Sequence, residues 1–412
     1  MILNTLLMAA SPLLAPVPAV PDVMAVKVGR AETVSDGSIP NAVILIEDGK
    51  ISVVGEDLPI DSGIPVIDLG PDSIAMPGLV NCYSRQGLDS RGPNDSRPGT
   101  RASDEVYPAY RDYVELLEAG ITTLGLYPAG NGIPGRAVAI RPQGDTADEM
   151  IVADDAYLKI LLRSNSGSKK MIRDGFKEAD EYKEEVVKAK EKWEKAKEKW
   201  DKEKKKKEED RDKKVSDPGP FTPPEPKPEA KAFQELRDGE LKALISISTA
   251  ADYLHLVDAV GEEEFEWDLR IPVNRNLDIF HVKRQIGELG VRVVMEPTTS
   301  LHPNTRRLRN LPAELSESGA KLVLVPRSDS LSNQQGWRRD TAELVWAGLD
   351  RETAIRAMTL EPAELLGLGD RLGSLSAGKD ANILFFTADP FEPGTKIHAV
   401  MLEGKVVHGE IR

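Results

Sequence analysis

The 412-residue chain has a single cysteine, Cys82, so an intramolecular disulfide and a thiolate zinc cluster are excluded. No histidine stands near Cys82 in sequence, and it reads as a small buried residue rather than a nucleophile. Histidine is scarce, with five in all, and aromatic residues make up only 5%. Positive charge is outweighed: 54 Lys and Arg stand against 68 Asp and Glu, a formal net charge of -14. That balance gives no basic face for a nucleic-acid partner. Long apolar runs are missing too. The most apolar stretch, residues 1–21, is too short and too broken by proline to span a bilayer. It ends in Val17-Pro18-Ala19, a small-residue cleavage pattern, and is expected to be a signal peptide, although no Lys or Arg precedes Lys27. An exported, periplasmic or otherwise extracytoplasmic protein follows.

What is present is a 40% hydrophobic chain, long enough for one large unit with a small accessory domain. Residues 22–75 read as short strands divided by Asp-Gly turns, among them Ala42–Ile46 and Ile51–Val54 on either side of Gly49. Residues 376–412 repeat the style at Ala381–Phe386, Ala399–Leu402 and Lys405–Val407. Neither block can bury two faces alone, so the two ends are expected to form one composite β-sandwich. Between them, residues 76–375 alternate strands with helices: Leu79 onward, Ile121–Leu126, Leu241–Ile247, Trp267–Val273, Val291–Met295 and Lys321–Val325 read as strands. Helices are expected at about 107–119, 276–290 and 351–368. Gly130-Asn131-Gly132-Ile133-Pro134-Gly135 has the bare G-x-G-x-x-G spacing, but Pro134 and the strand-like Ala137–Ile140 follow where a dinucleotide site needs a helix.

Residues 176–230 form an insert of different composition. Tyr182, Val186, Ala189, Trp193, Ala196 and Trp200 recur at spacings of four and three in a Lys/Glu background, a coiled-coil-like stripe. A helix of roughly 30 residues would reach about 45 Å. Pro218, Pro220 and the run 223–228 then supply an extended return. Two tryptophans on one face need cover; the stripe is expected to lie along the parent barrel or on a second subunit.

Six stretches carry a resemblance: Ile44–Ile51, Val66–Gly70 and Met76–Val80 at one end, with Ala357–Leu368, Gly373–Leu375 and Ala377–Asn382 at the other. The chain resembles the amidohydrolase superfamily, in its imidazolonepropionase-like branch. The resemblance implies an α/β fold of the metallo-dependent hydrolase type, a (β/α)8 TIM-like barrel with a small β-sandwich. It also implies zinc or a similar divalent ion that activates water, with an aspartate at the end of the last strand assisting proton transfer. Asp329 matches that aspartate. The first strand should deliver two imidazoles, X-His-X-His, which at the strand period of two both point into the barrel mouth. Tyr83 and Arg85 stand there instead. Strand four ends in Ser246-Ile247-Ser248 where close relatives carry histidine, and strands five and six end in Pro272-Val273-Asn274 and Glu296-Pro297.

The five histidines do not make good the loss: His398 and His408 belong to the sandwich, His255 and His281 to helices, and only His302, in a loop, could reach the mouth. No metal and no other cofactor is expected. By descent the resemblance implies a hydrolase of carbon–nitrogen, non-peptide bonds in a cyclic amide or related small substrate. On chemistry, a pseudoenzyme is favoured, binding a small-molecule ligand or stabilising an intact paralogue. A homo-oligomer, or a hetero-oligomer with an intact amidohydrolase, suits that reading. Tyr83, Arg85, Ser246, Ser248 and Asp329 are expected to fill the vacated cavity, with Arg85 and Asp329 as a buried ion pair.

Overall fold

The computed structural model describes residues 23–88, 97–205, 215–273 and 278–411. The signal-peptide reading of residues 1–21 and the reading of Asn274 fall outside the described residues.

The first strands follow the alternation in the sequence. β1 (Val23–Glu32), β2 (Ser38–Glu47) and β3 (Lys50–Glu56) run antiparallel, followed by β4 (Val66–Asp68) and β5 (Ile74–Pro77). Asp48 and Gly49, both at positive φ, make the two-residue hairpin turn between β2 and β3. The central region supplies β6 (Leu79–Ser84), β7 (Ile121–Leu126), β8 (Gly135–Arg136), β9 (Val138–Ile140) and β10 (Ile151–Ala153). Then come β11 (Leu158–Leu161), β12 (Ala243–Ser246), β13 (Trp267–Arg270) and β14 (Arg292–Met295). A small hairpin, β15 (Ser300–Leu301) and β16 (Leu308–Arg309), precedes β17 (Lys321–Leu324). The chain returns through β18 (Ile383–Phe386), β19 (Ile397–Leu402) and β20 (Lys405–Gly409).

The two ends form one eight-stranded sheet, ordered β20-β19-β18-β5-β1-β2-β3 with β4 beside β1, where a two-layer sandwich is the sequence expectation. The join is β18 against β5, with Leu384 opposite Met76. Strand alternation then sorts the side chains. Ile383 and Phe385 share a core with Val26, Ile44 and Met401, while Leu384 and Phe386 face the main core.

The central strands lie in two sheets. β6 and β7 are parallel and continue to β9 and β10; β11, β12, β13, β14 and β17 are parallel, with β8 at the edge. No ladder joins these two sheets among the described strands, so closure by hydrogen bonds is interrupted. Their inner faces nevertheless meet, since Val80 and Cys82 from one sheet share a core cluster with Leu244, Val294 and Val323 from the other.

β11 supplies the third parallel strand, which the sequence reading did not place, and the strand at 241–247 is the fourth as expected. The expected last helix also divides at Thr359, giving α9 (Arg351–Met358) and α10 (Leu360–Leu365). The earlier helices include α1 (Tyr113–Glu118), α2 (Ala147–Met150), α6 (Lys283–Glu288), α7 (Leu311–Glu317) and α8 (Leu331–Trp346), the last following the end of β17.

The insert is a single helix, α3 (Ser166–Lys204), of 39 residues and therefore about 58 Å long. Its base is anchored by Ile172, Phe176 and Ala179, packed on α4 (Pro228–Arg237) through Phe233. Gly175 permits this contact, because a Cβ there would meet the Phe233 ring at 2.2 Å. Beyond the base the stripe meets the chain's own return segment. The Pro-rich return covers it: Tyr182 Oη donates to Pro224 O at 3.1 Å, Trp193 Nε1 donates to Gly219 O at 3.0 Å, and the Phe221 ring packs on Trp193. An extended segment with few backbone partners of its own suits that role. No helix among the described residues is long and apolar enough to cross a membrane.

Candidate functional site

The C-terminal ends of β6, β7, β11, β12, β13, β14 and β17 carry a polar cluster. β6 presents Tyr83, and Tyr127 follows β7; their rings stack with centroids 4.1 Å apart. Lys159, from the middle of β11, puts its ammonium 3.5 Å from the Tyr127 centroid and 5.1 Å from that of Tyr83. Arg270, the last residue of β13, lies 4.8 Å from the Tyr83 ring. Lys159 and Arg270 are only 5% and 6% exposed, so both charges are withdrawn from water. Arg270 is compensated by an ion pair with Glu296, whose Oε2 also accepts from the Val273 amide at 2.8 Å. The guanidinium gives a further bond to Val294 O at 3.3 Å.

The electrostatics follow from burial and these neighbours. Burial disfavours the phenolate of Tyr83, but the Lys159 and Arg270 charges outweigh it and hold the phenol below its ordinary range. Burial pushes the Lys159 ammonium down, with Tyr83 offsetting part of the effect. The Tyr127 phenol goes up, through burial first and then the negative potential of Tyr83 and Asp329.

Asp329 lies five residues beyond the end of β17, and its carboxylate is tied to β6. Ser84 Oγ donates to Oδ1 at 2.7 Å and the Arg85 backbone N–H donates to Oδ2 at 2.9 Å. The expected Arg85–Asp329 ion pair is thus replaced by a backbone bond, with the Arg85 charge acting on the carboxyl from further away. Gln86 Nε2 donates to the Asp329 carbonyl, and Tyr110 Oη donates to Gln86 Oε1 at 2.6 Å. Gln334 Nε2 reaches Asp329 Oδ1 at 3.5 Å, and Asn81 Nδ2 donates to Gln334 Oε1 at 3.2 Å. Burial raises the Asp329 carboxyl above its usual range despite the bonds from Ser84 and Arg85.

Of the residues expected in the mouth, Tyr83, Arg85 and Asp329 come together. Ser246 is buried beside them, opposite Arg270 in the ladder, with no partner for its Oγ. Ser248 does not join: its Oγ accepts from Arg163 and its amide donates to Asp252, at the start of α5 (Ala250–Val260). A Thr249–Asp252 capping box fixes that turn. His302 packs on Phe280 and His281 and meets Arg309 through Nδ1 at 3.3 Å, while Glu296 is engaged by Arg270. No three His, Cys, Asp or Glu side chains gather into a metal-sized group among the described residues.

Lys159, Arg270 and Tyr127 are the members that sequence reasoning missed. A signal existed for two of them. Lys159 is a lone charge inside the apolar run Leu158–Leu161, and Arg270 shares a strand face with Asp268 in Trp267–Arg270.

Chemically, two phenols, an ammonium and a guanidinium donate hydrogen bonds and attract negative charge; Asp329 and Glu296 are already engaged. Residues 109–407 match the sequence model of the amidohydrolase family. An imidazolonepropionase of Cereibacter sphaeroides is 30% identical over 142 residues, 34% of this chain and 31% of that enzyme. The amidohydrolase tasK of Hapsidospora irregularis is 39% identical over 57 residues, 14% of this chain and 6% of that protein. The chain therefore spans about a third or less of the curated relatives it matches. Among solved structures, an amidohydrolase from Thermotoga maritima superposes with a TM-score of 0.74 at 22% identity, covering 94% of this chain and all of that one. A zinc-complexed mutant of atrazine chlorohydrolase from Arthrobacter aurescens gives 0.50 at 17% identity, covering 94% of this chain and 95% of that one. These two likenesses concern the fold, a TIM-barrel type. With about three quarters of its length matched by the family model, the chain belongs to the amidohydrolase family.

Proposed function

We propose that this chain is a non-catalytic member of the amidohydrolase family, a ligand-binding pseudoenzyme on a (β/α)8 barrel that has exchanged its metal for fixed protein charges. The observation that carries the reading is the pair of buried cations, Lys159 and Arg270, at the strand ends around Tyr83. An ammonium and a guanidinium repel a divalent ion, and a guanidinium has no lone pair to offer it. The donor set does not fit zinc, so no hydrolytic step is routed through a metal.

Asp329 supports the same reading. A carboxylate that accepts from Ser84 and from the Arg85 amide pins the end of β6 to the start of α8. That is a positioning role, and moving a proton would cost it those bonds. A metal-dependent hydrolase of a cyclic amide is the second reading, favoured by one observation: burial raises the pKa of Asp329, the residue matched to the family's aspartate by resemblance.

The test is hydrolysis of hydantoin and dihydrouracil by purified protein, with and without added zinc. The pseudoenzyme reading expects no turnover above buffer in either condition. Zinc-dependent turnover that disappears in Asp329→Ala would overturn it.

A further inference from the structure

We propose that the mouth of the central sheets binds a small organic monocarboxylate, its carboxylate seated against Lys159 and Ser246 and its body against the Tyr83–Tyr127 pair. This rests on the metal-free reading above and names the ligand class for the same site.

Among the described residues, the two carboxylates of the mouth are already engaged. Arg270 is matched by Glu296, and Asp329 is satisfied by Ser84 and the Arg85 amide. Lys159 makes no ion pair with a carboxylate among the described residues, and its side-chain partner is the neutral Tyr83 phenol. Burial weighs on it most, and Tyr83, Arg85 and Arg270 are the neighbours that follow. The Asp329 carboxylate feels the Lys159 charge without forming an ion pair with it. A buried ammonium is costly unless an anion answers it, and the ring faces of Tyr127 and Tyr83 answer it in part.

A second observation is independent of charge. Ser246 Oγ and Arg270 Nε, neighbours in the β12–β13 ladder, are both buried with no hydrogen-bond partner. Buried donors left unpaired are rare, and an acceptor arriving with the ligand would satisfy them. Ser246 lies opposite Leu161, two residues nearer the strand ends than Lys159 on β11, so the ammonium and the hydroxyl belong to neighbouring strands of one face.

The size of the charge selects the ligand. One uncompensated cation calls for one negative charge, whereas a phosphate dianion would also face the carboxylates of Glu296 and Asp329. Tyr83, Arg85, Tyr127, Glu296 and Asp329 are all partly exposed, so the cluster reaches solvent. Two stacked phenols at its wall suit a flat or apolar body better than a sugar.

Benzoate is the probe, with acetate for the headgroup alone and inorganic phosphate as the doubly charged control. Isothermal titration and thermal shift on the full chain, at ionic strength matched with chloride, should show benzoate binding more tightly than acetate and phosphate not at all. Lys159→Met should weaken benzoate about tenfold or more, as loss of a charge-assisted bond implies. Ser246→Ala should weaken it less, and Lys159→Arg should restore part of the affinity. Lys159→Met should also raise Tm without ligand, which separates a lost site from a lost fold. Absence of benzoate and acetate binding by the wild type, or equal binding by Lys159→Met, would overturn the proposal. A zinc titration of the same sample separates the two claims: stoichiometric zinc binding would sink the metal-free reading, while absence of both zinc and carboxylate binding would sink the ligand assignment alone.

Discussion

Glu296→Gln isolates the largest electrostatic commitment in the mouth. Arg270 is 6% exposed, its side chain pairs with Glu296, and its Nε has no other partner. Removing the carboxylate leaves a buried guanidinium uncompensated, a change worth about 3–5 kcal/mol in comparable buried pairs. Unfolding entropy of about 2.1 cal/mol/K per residue, over 412 residues, is roughly 0.9 kcal/mol/K. The predicted fall in Tm is therefore about 3–6 °C. Arg270→Met added to Glu296→Gln removes the orphaned charge and should recover most of that loss. Scanning calorimetry on the wild type, both single variants and the double variant completes the cycle. A drop of less than about 1 °C for Glu296→Gln, or losses that simply add in the double variant, would refute the view that this pair is buried and mutually dependent.

Three further outcomes follow. The Lys159 pKa is lowered on folding, so the unfolded chain binds more protons and stability rises with pH in the window below 10.5. Lys159→Met should flatten that rise in urea melts at about pH 7 and about pH 9.5, and an unchanged slope would place the ammonium in water. Gly175→Ala puts a methyl group into the Phe233 ring and should cost about 1–3 kcal/mol, with faster proteolysis of α3 as the readout. Tyr182 and Pro224 touch, so the arm can be cut away there. Replacing residues 183–223 with a short Gly/Ser linker should leave Tm within about 1 °C, since the buried anchors Ile172, Phe176, Ala179 and Phe233 remain.

Much of the framework is legible in the sequence because strand and helix periods are local. Leu79–Ser84 and Ile121–Leu126 follow from apolar runs ended by Gly or polar residues, and the β18–β5 join follows from two strand-rich ends that each lack a partner. β11 is harder to see. It is four residues long and carries a lysine, and a lysine argues against a buried strand until Tyr83 and Tyr127 are known to cover it. The site divides in the same way. Tyr83, Arg85 and Asp329 are found by position along strands, whereas Arg270, Tyr127 and Lys159 are brought to Tyr83 by packing between distant strands. The bond from the Arg85 amide to Asp329 is a backbone contact, and side-chain identity carries no trace of it. The return over Trp193 depends on where an extended Pro-rich segment lies, which composition leaves open.

The central claim is that fixed cations have replaced the metal, and metal content tests it most directly. Protein purified from cells grown with supplemented zinc, manganese, iron and nickel should carry well under one equivalent of any of them by elemental analysis. Lys159→Met should not change that figure. One equivalent of metal retained through mild chelation would contradict the account.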